Sequence, residues 1–309
     1  MGTLFYTHEA GLAHVMPPGH PEQVARLEAV YAALRASEFD ALIRRPCPLA
    51  DLTEVLRCHA PAYLAKVQAA APTQGWAQLD SDTFLSAGSL EAALRAIGGV
   101  NAAVDAVLAG HARNAFVAMR PPGHHAESAT AMGFCLFGTI AIAARRALDQ
   151  HGLARVAVLD FDVHHGNGSQ ELLWDEARCF FASSHQMPLY PGSGYATEVG
   201  AHGQVVNAPL PPGSGGAEMR RAWEDILARA LAFRPQLVLA SAGFDAHRAD
   251  PLAGLNWREA DFSWLTHAIC DLAEDCGAAV VSTLEGGYDL EALGASAAAH
   301  VAVLLERGE

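Results

Sequence analysis

The chain has 309 residues, 51% of them hydrophobic, and a net charge of −14 at pH 7. A compact chain of this length buries about 75% of its unfolded surface, so the composition excludes a disordered protein. The negative charge argues against a nucleic acid as partner, and no apolar run is long enough to cross a membrane. An ordinary acidic surface and a preference for cationic substrates, such as lysine-rich tails or polyamines, explain this charge equally well.

The N-terminus and the cysteines favour a cytoplasmic protein. The stretch Met1-Gly2-Thr3-Leu4-Phe5-Tyr6 has no basic segment and no cleavage site, so we expect no secretion signal. No Cys-x-x-Cys pair occurs, and we expect free thiols rather than disulfides. The oligomeric state is left open. The cysteines are Cys47, Cys58, Cys135, Cys179, Cys270 and Cys276.

The first third of the chain predicts one strand and two helices. Residues 4–7 predict a short strand, and apolar residues at helical spacing predict an amphipathic helix over residues 21–36. A second helix follows Asp80-Ser81-Asp82-Thr83, with a core face of Leu90, Leu94, Ile97, Val104 and Leu108. Gly98-Gly99 in its middle predicts close packing against a neighbouring segment.

The rest of the chain alternates strands and helices. Such alternation predicts an α/β protein with a central, mainly parallel sheet and helices on both faces. We see no linker or repeat, so residues 1–309 should form one domain. Strands are predicted at 115–119, from 156, at 179–183, 237–241 and 279–284; helices at 138–149, 169–176, 216–233, 258–275 and 289–306; and a long irregular stretch at 185–216.

Polar side chains cluster where one apolar strand ends. In the stretch from Val156 to Gly168, Asp160, Asp162 and His164 are spaced two residues apart and so share one side of the strand. Two carboxylates and an imidazole in one place repel and desolvate one another unless a cation lies among them. A metal site is the leading interpretation, and a hydrogen-bonded aspartate pair capping a loop is the alternative.

Two other strand ends carry similar residues. Arg120-Pro121-Pro122-Gly123-His124-His125 places two histidines on a stiff turn after the 115–119 strand. The strand at 237–241 leads into Gly243-Phe244-Asp245-Ala246-His247. Because ligand sites of α/β proteins lie beyond the carboxyl ends of the strands, we expect these groups to meet.

These motifs, together with Leu284-Glu285-Gly286-Gly287-Tyr288 and Pro18-Gly19-His20-Pro21-Glu22, resemble the histone deacetylase superfamily, which includes acetylpolyamine amidohydrolases. The resemblance covers almost the whole chain and is closest to class II-like bacterial members. Each motif alone is weak, but all of them in this order are highly specific. The resemblance implies an arginase-like α/β domain with a central parallel sheet, in agreement with the alternation of elements.

The resemblance assigns the metal ligands to Asp162, His164 and Asp245. Two oxygens and one nitrogen leave an open coordination position, as a catalytic site requires. We expect zinc, although an aspartate-rich set also suits iron(II) in the cell.

The resemblance also assigns the catalytic groups. His125 would be the general base on a water activated at the metal and then the acid for the departing amine, with Asn167 as its partner where class I members carry aspartate. Asp160 would accept a hydrogen bond from His124 and favour its charged form. Tyr288 would donate a hydrogen bond to the scissile carbonyl oxygen.

Further residues are implied for the substrate tunnel. Gly133-Phe134 and Tyr190 would form its walls, with a core aromatic at a helix entry as the alternative for Phe134. Asp82 is the candidate carboxylate at the rim, and a plain helix-entry carboxylate is the alternative. Leu252 stands where polyamine-selective members carry an acidic gatekeeper.

The family also suggests structural potassium and an interior polar cluster. The matching potassium positions are the carbonyls of Asp160, Asp162 and His164 and the region of Ser183 and Ser184, with a weaker second site near Leu173, Glu176 and Cys179. Equivalents of His20, Glu22 and Arg26 line the interior behind the site; a surface charge is the alternative for Arg26.

The resemblance therefore implies a metal-dependent amide hydrolase that removes acetyl or other acyl groups from lysine side chains in proteins or from related small amines. The apolar Leu252 favours acyl-lysine, and an acetylpolyamine amidohydrolase is the alternative. An arginase-type two-metal hydrolase is disfavoured because His165 and Asn167 are poor substitutes for a second carboxylate set. A non-enzymatic binding protein with a vestigial site is disfavoured because the ligands, both histidines and Tyr288 are intact.

Overall fold

An eight-stranded sheet forms the centre of the molecule in the computed structural model, which describes residues 2–308. Its strand order is β2-β1-β5-β10-β9-β6-β7-β8, and every neighbouring pair is parallel. The strands are β1 (Gly2–Thr7), β2 (Ile43–Pro46), β5 (Ala112–Val117), β6 (Val156–Asp160), β7 (Cys179–Gln186), β8 (Val205–Leu210), β9 (Leu237–Ala242) and β10 (Ala279–Leu284), with a separate antiparallel pair β3 (Ala77–Gln78) and β4 (Phe84–Leu85).

Helices cover both faces of the sheet, as the alternation of elements predicts. They are α1 (Ala10–Ala13), α2 (Val24–Ala33), α3 (Leu52–Val55), α4 (Pro61–Ala70), α5 (Ser89–Leu108), α6 (Thr139–Asp149), α7 (Asn167–Leu173), α8 (Gly216–Phe233), α9 (Glu259–Cys276) and α10 (Leu290–Gly308). Within the described residues, no helix is both long and apolar enough for a membrane span.

Alternating residues of each central strand enter two different cores. In β6, Ala157 and Leu159 pack with α2, α8, α9 and α10, whereas Val156 and Val158 pack with α5, α6 and α7. Both sets are fully buried, which is why the strands read as continuous apolar runs. The centre of the sheet is therefore buried on both sides, and the charged residues of β6 are confined to its carboxyl end.

Several predicted boundaries differ from the structure. The helix expected at 21–36 spans only Val24–Ala33, because Gln23 is extended and Glu22 turns inward to bind arginines. The strand expected at 115–119 is Ala112–Val117, and the helix expected at 169–176 is Asn167–Leu173. The predicted segments at 216–233 and 279–284 have the observed bounds.

The prediction of an irregular stretch at 185–216 is wrong in two places. β7 continues to Gln186, and β8 pairs with it in parallel from Phe181↔Val205 to Gln186↔Leu210. β8 lies at the sheet edge, and two of its six residues are only partly buried, so it lacks the continuous apolar pattern of the central strands. The short elements β2, α3, α4, β3 and β4 also lie outside the predicted set.

The close packing predicted at Gly98-Gly99 is confirmed. A Cβ atom added at Gly98 would lie 2.9 Å from the carbonyl carbon of Pro48 and 2.9 Å from the amide nitrogen of Ala50. One added at Gly99 would lie 2.5 Å from Sγ of Cys47. α5 therefore needs glycine at these positions to approach the 47–50 segment.

Candidate active site

Four adjacent strands deliver the polar groups to one edge of the sheet. β5, β10, β9 and β6 are neighbours in the centre of the sheet, and their carboxyl ends lead into the predicted motifs. Backbone bonds tie these ends together: Phe161 donates its N–H to the carbonyl of Ser241, and Phe244 donates to the carbonyl of Gly286. The predicted residues meet here because the strands between them are parallel and in register.

Asp162, His164 and Asp245 form the one group in the described chain with the geometry of a metal site. Nδ1 of His164 lies 3.0 Å from Oδ1 of Asp162 and 3.2 Å from Oδ2 of Asp245. All three residues are buried. The carboxylates are oriented by backbone donors, since Oδ2 of Asp162 accepts the N–H of Gly286 at 2.8 Å and Oδ1 of Asp245 accepts that of Val163 at 2.8 Å.

One atom of this group is left without a partner. Oδ2 of Asp245 is buried and accepts no hydrogen bond, although it faces Nδ1 of His164. An unpaired buried carboxylate oxygen costs free energy unless something positive lies beside it. The donor set and this orphaned atom therefore fit a bound cation.

The pKa values of the three residues point to the same need for positive charge. Burial opposes the imidazolium of His164, but the neighbouring carboxylates of Asp162 and Asp245 outweigh burial and raise the pKa of His164 to about 10. Burial and the charge of Asp162 raise the pKa of Asp245 to about 7, while nearby histidines hold the pKa of Asp162 below its usual range. Such shifts are expected where two buried carboxylates and an imidazole lie together with no cation beside them.

His124 is hydrogen-bonded to a carboxylate behind the site. Its Nδ1 lies 3.0 Å from Oδ2 of Asp160, whose Oδ1 accepts the backbone N–H of Asp162 at 3.1 Å. Burial lowers the pKa of His124, but the charges of Asp160 and Asp162 outweigh burial and raise it well above 6.5. The ring therefore favours its charged form.

His125 is held by an amide instead. Its Nδ1 lies 2.7 Å from Oδ1 of Asn167, and Nδ2 of Asn167 donates to Oε1 of Glu127 at 2.8 Å. A carboxylate can only accept hydrogen bonds, so Glu127 takes the NH₂ group of Asn167 and turns the amide oxygen toward His125. Nδ1 of His125 therefore carries the ring proton, and Nε2 has a free lone pair. Burial, with His124 nearby, lowers the pKa of His125 well below 6.5, so the ring is neutral.

Glu285 and Glu127 contact the site residues, and the sequence analysis did not assign either of them. Oε2 of Glu285 accepts the backbone N–H groups of Gly123 at 2.7 Å and His124 at 3.2 Å, and so holds the histidine turn. Burial raises the pKa of Glu285 to about 7. Glu285 belongs to a recognised motif, which is a usable signal, whereas nothing in the sequence around Glu127 indicates its contact.

Tyr288 is clamped from two sides. Its backbone N–H donates to Oδ2 of Asp250 at 2.7 Å, and the guanidinium carbon of Arg26 lies 4.7 Å from its ring centroid. Gly287, before it, has φ +125°, a conformation that side chains disfavour. Nε of Arg26 also donates to the carbonyl of Gly287 at 2.5 Å, so the loop is fixed behind the ring.

A pocket of about 240 Å³ opens above these groups. It brings together every predicted tunnel residue and adds Leu189, which the sequence analysis did not assign. Its lining consists of Asp82, His125, Gly133, Phe134, His164, Leu189, Tyr190, Leu252 and Tyr288.

The alternatives for Asp82 and Phe134 are wrong. Asp82 precedes β4, and α5 begins only at Ser89, so Asp82 is not at a helix entry. Phe134 lies in a turn before α6 and faces the pocket, where its ring packs 5.8 Å from that of Tyr288. A Cβ atom added at Gly133 would come within 2.6 Å of the His125 ring, so only glycine fits there.

In the interior cluster, Glu22 and Arg26 are buried and His20 is partly buried; the alternative of a surface charge is wrong for Arg26, which is 0% exposed. Nη1 of Arg26 lies 2.9 Å from Oε1 of Glu22, and Arg120 also pairs with Glu22. The ring of His20 packs 4.8 Å from that of Phe134. These residues lie behind Tyr288 and the pocket wall.

Residues named for potassium lie on neighbouring strands. Asp160 of β6 is paired with Ser183 of β7, and Ser184 accepts the indole N–H of Trp223 at 3.0 Å. In the second candidate region, the backbone N–H of Cys179 donates to the carbonyl of Glu176, and the N–H of Glu176 donates to the carbonyl of Leu173.

Two histidines of the motifs lie outside the metal group. His247 is 3.5 Å from Oε1 of Glu259, and His165 bonds to Ser193 and Gln170. Neither histidine was assigned to the metal group, and neither lines the pocket.

The family described as "Histone deacetylase domain" matches residues 20–304. An uncharacterized protein of Synechocystis sp. is 41% identical over 96% of this chain and 97% of its own length.

Two further relatives and one structure are similar along nearly the whole chain. Histone deacetylase 14 of Arabidopsis thaliana is 38% identical over 98% of this chain and 76% of its own, and a histone deacetylase-like amidohydrolase of Pseudomonas aeruginosa is 39% identical over 89% and 74%. The crystal structure of the HDA15 HD domain superposes with a TM-score of 0.93 at 34% identity, covering 99% of this chain and 88% of that one.

Proposed function

The chain belongs to the histone deacetylase family of hydrolases, and from this we propose that it is a metal-dependent deacylase that hydrolyses the side-chain amide of acetylated or otherwise acylated lysine. The observation that carries the proposal is the convergence of Asp162, His164 and Asp245 beneath a pocket lined by His125 and Tyr288.

Asp162, His164 and Asp245 are the proposed metal ligands. Two carboxylates and one imidazole suit zinc, and they suit iron(II) as well. An ion held there supplies Lewis-acid chemistry by withdrawing electron density from the substrate carbonyl and the attacking water. Potassium, with Asp160, Ser183 and Ser184 as neighbours, and a cytoplasmic location stay predictions.

His125 is the proposed general base. Its neutral ring, with the proton on Nδ1, leaves Nε2 to take a proton from the attacking water. The same ring then gives that proton to the departing amine. His124, charged beside Asp160, adds positive charge next to the developing negative charge but takes no proton from the water.

Tyr288 is the proposed donor to the substrate oxygen. Burial raises the pKa of its hydroxyl well above 10, so the group keeps its proton at neutral pH. As negative charge develops on the carbonyl oxygen, this hydroxyl stabilises it. Phe134 and Tyr190 would hold the aliphatic chain of the substrate between their rings.

The proposed substrate is an acyl-lysine in a protein, or a related small amide. Leu252 lines the pocket and offers no charge to a polyamine. Asp82 is the one acidic residue of the pocket lining. Its carboxylate could pair with a free ammonium group of a bound polyamine. An acetylpolyamine is therefore the second candidate.

The test compares kcat/KM of the zinc-loaded protein on an acetyl-lysine peptide and on an acetylated polyamine. We expect the peptide to be preferred. A preference for the polyamine would overturn the argument from Leu252 and point to Asp82, while activity on neither would overturn the proposed deacylase.

Metal content separates the remaining classes. One tightly held equivalent of zinc or iron per chain, with activity lost to a chelator and restored by either ion, is expected. Two equivalents would favour an arginase-type hydrolase, and none would favour a binding protein with a vestigial site.

A further inference from the structure

A polar network lies behind one wall of the pocket, outside the proposed catalytic groups. It consists of His165, Gln170, Ser193 and Glu198, which we call the wall network. His165 and Gln170 are buried, and Glu198 is half-buried. The network joins the residue after the ligand His164 to the loop that follows Tyr190.

The orientation of each group in the wall network is set by the next. Glu198, as a carboxylate, can only accept, so Nε2 of Gln170 donates to its Oε2 at 2.6 Å. Oε1 of Gln170 is thereby turned toward Nε2 of His165, 3.0 Å away, which must carry the ring proton. Nδ1 of His165 is then free to accept the hydroxyl of Ser193 at 2.8 Å.

Glu198 also holds the loop directly. Its carboxylate accepts the backbone N–H of Gly194 at 3.2 Å and that of Tyr195 at 3.1 Å. The carbonyl of Gly194 accepts from Nε2 of His185 at 2.9 Å. Three consecutive loop residues are therefore held by hydrogen bonds: Ser193 by His165, Gly194 by Glu198 and His185, and Tyr195 by Glu198.

The fixed loop carries the pocket wall. Tyr190 lies three residues before Ser193, and its ring meets that of His125 edge-on at 5.2 Å and that of His164 at 6.3 Å. Tyr190 is 38% exposed, so packing alone restrains its ring only in part. The position of its ring depends on where the loop is anchored.

We propose that Glu198 is a positioning residue that sets the width of the substrate pocket by anchoring the Tyr190 loop, both directly and through Gln170, His165 and Ser193. This inference rests on the proposed function of the pocket. Hydrogen bonds from Gln170, Tyr195 and Gly194 outweigh burial and lower the pKa of Glu198, which agrees with a charged carboxylate accepting from all three.

The first test is the pair Glu198→Gln and Glu224→Gln, assayed on an acetyl-lysine peptide. Glutamine has the same shape, but its NH₂ group meets the NH₂ of Gln170 or the loop amides, so an anchor is lost. We expect KM to rise about ten-fold with kcat little changed. Glu224, an exposed residue of α8, serves as the matched control and should leave both constants unchanged.

A double-mutant cycle shows whether Glu198 acts through the wall. If it does, Glu198→Gln should have little further effect on KM in a Tyr190→Ala background, because the wall it positions is gone. Additive effects, a fall in kcat alone, or no change in the single variant would each overturn the proposal.

Hydrogen exchange tests the anchor without any enzyme assay. Amides of the 189–199 segment should exchange at least about ten-fold faster in Glu198→Gln than in wild type or Glu224→Gln, with the remaining segments unchanged. Equal exchange would overturn the anchor. If wild type is inactive on acyl-lysine, the proposed function fails, and this measurement still decides the role of Glu198.

Discussion

Backbone N–H groups orient the buried carboxylates around the site. Asp162 accepts from Gly286, Asp245 from Val163, Asp250 from Tyr288 and Leu252, and Glu285 from Gly123 and His124. Such a bond is worth about 1.5–3 kcal/mol when the carboxylate is charged. Each carboxylate also links two separate loops, so one side chain fixes the mutual position of two parts of the site.

Tyr288→Phe tests the proposed oxyanion donor. Removing one donor of this kind costs about 100- to 1000-fold in rate. We expect kcat to fall at least ten-fold, because phenylalanine lacks the hydroxyl. The ring keeps its packing on Arg26 and Phe134, so the change removes only the donor. Metal content, measured alongside kcat, should be unchanged, and a fully active variant would contradict the role.

The two histidines have different proposed roles, and single alanine variants separate them. His125→Ala removes the base and should lower kcat by about 100- to 10,000-fold. His124→Ala removes a charge and should cost less. If His125→Ala kept most of the rate while His124→Ala abolished it, the roles would be reversed. Both variants need a metal assay, since the rings lie next to the ligand group.

At the scale of elements, the hydrophobic pattern decides where the central strands lie, and pairing with a neighbour decides where the edge strand lies. The central strands are continuous apolar runs and are visible in the sequence, whereas β8 pairs at the edge with Val205 and Val206 buried and Ala208 and Pro209 half-exposed. Its existence depends on β7 extending beside it. Edge elements of this kind are stabilised by a neighbour and not by their own pattern.

Gly98→Ala tests the contact between α5 and the 47–50 segment. Alanine gains about 1 kcal/mol of helix propensity, but overpacking against backbone typically costs about 1–3 kcal/mol. We expect a lower free energy of unfolding in urea. Gly294→Ala in α10 is the control, since its new Cβ would come no closer than 3.3 Å to the carbonyl oxygen of Ala29 and 3.6 Å to Cβ of Ala33. Stabilisation by Gly98→Ala would contradict the close approach.

At the scale of the whole molecule, folding buries several histidines in neutral form. Burial lowers the pKa of His300 to about 3 and that of His59 to about 4. The unfolded chain binds these protons below about pH 6.5, whereas the folded rings do not. Acidification therefore favours unfolding, and each such histidine adds a slope of about 1.4 kcal/mol per pH unit between these limits.

His300→Gln isolates one of these contributions. The ring bonds to Thr266 at 2.7 Å and Ser282 at 2.8 Å, and an amide can replace both contacts. Between pH 6 and 4, the free energy of unfolding should fall less steeply in the variant, by about 1.4 kcal/mol per pH unit. Denaturation in urea at several pH values measures this, and parallel curves would contradict it.

The sequence by itself determined the α/β class, the central strands, the flanking helices and the motifs of the site, because buried strands and long helices carry their own hydrophobic periods. The tunnel residues followed from the resemblance of these motifs. Only the tertiary structure decided the edge strand β8, the inward turn of Glu22, and the contacts of Glu127, Glu285 and Glu198. Those features depend on partners far away along the chain, and no local pattern encodes such a partner.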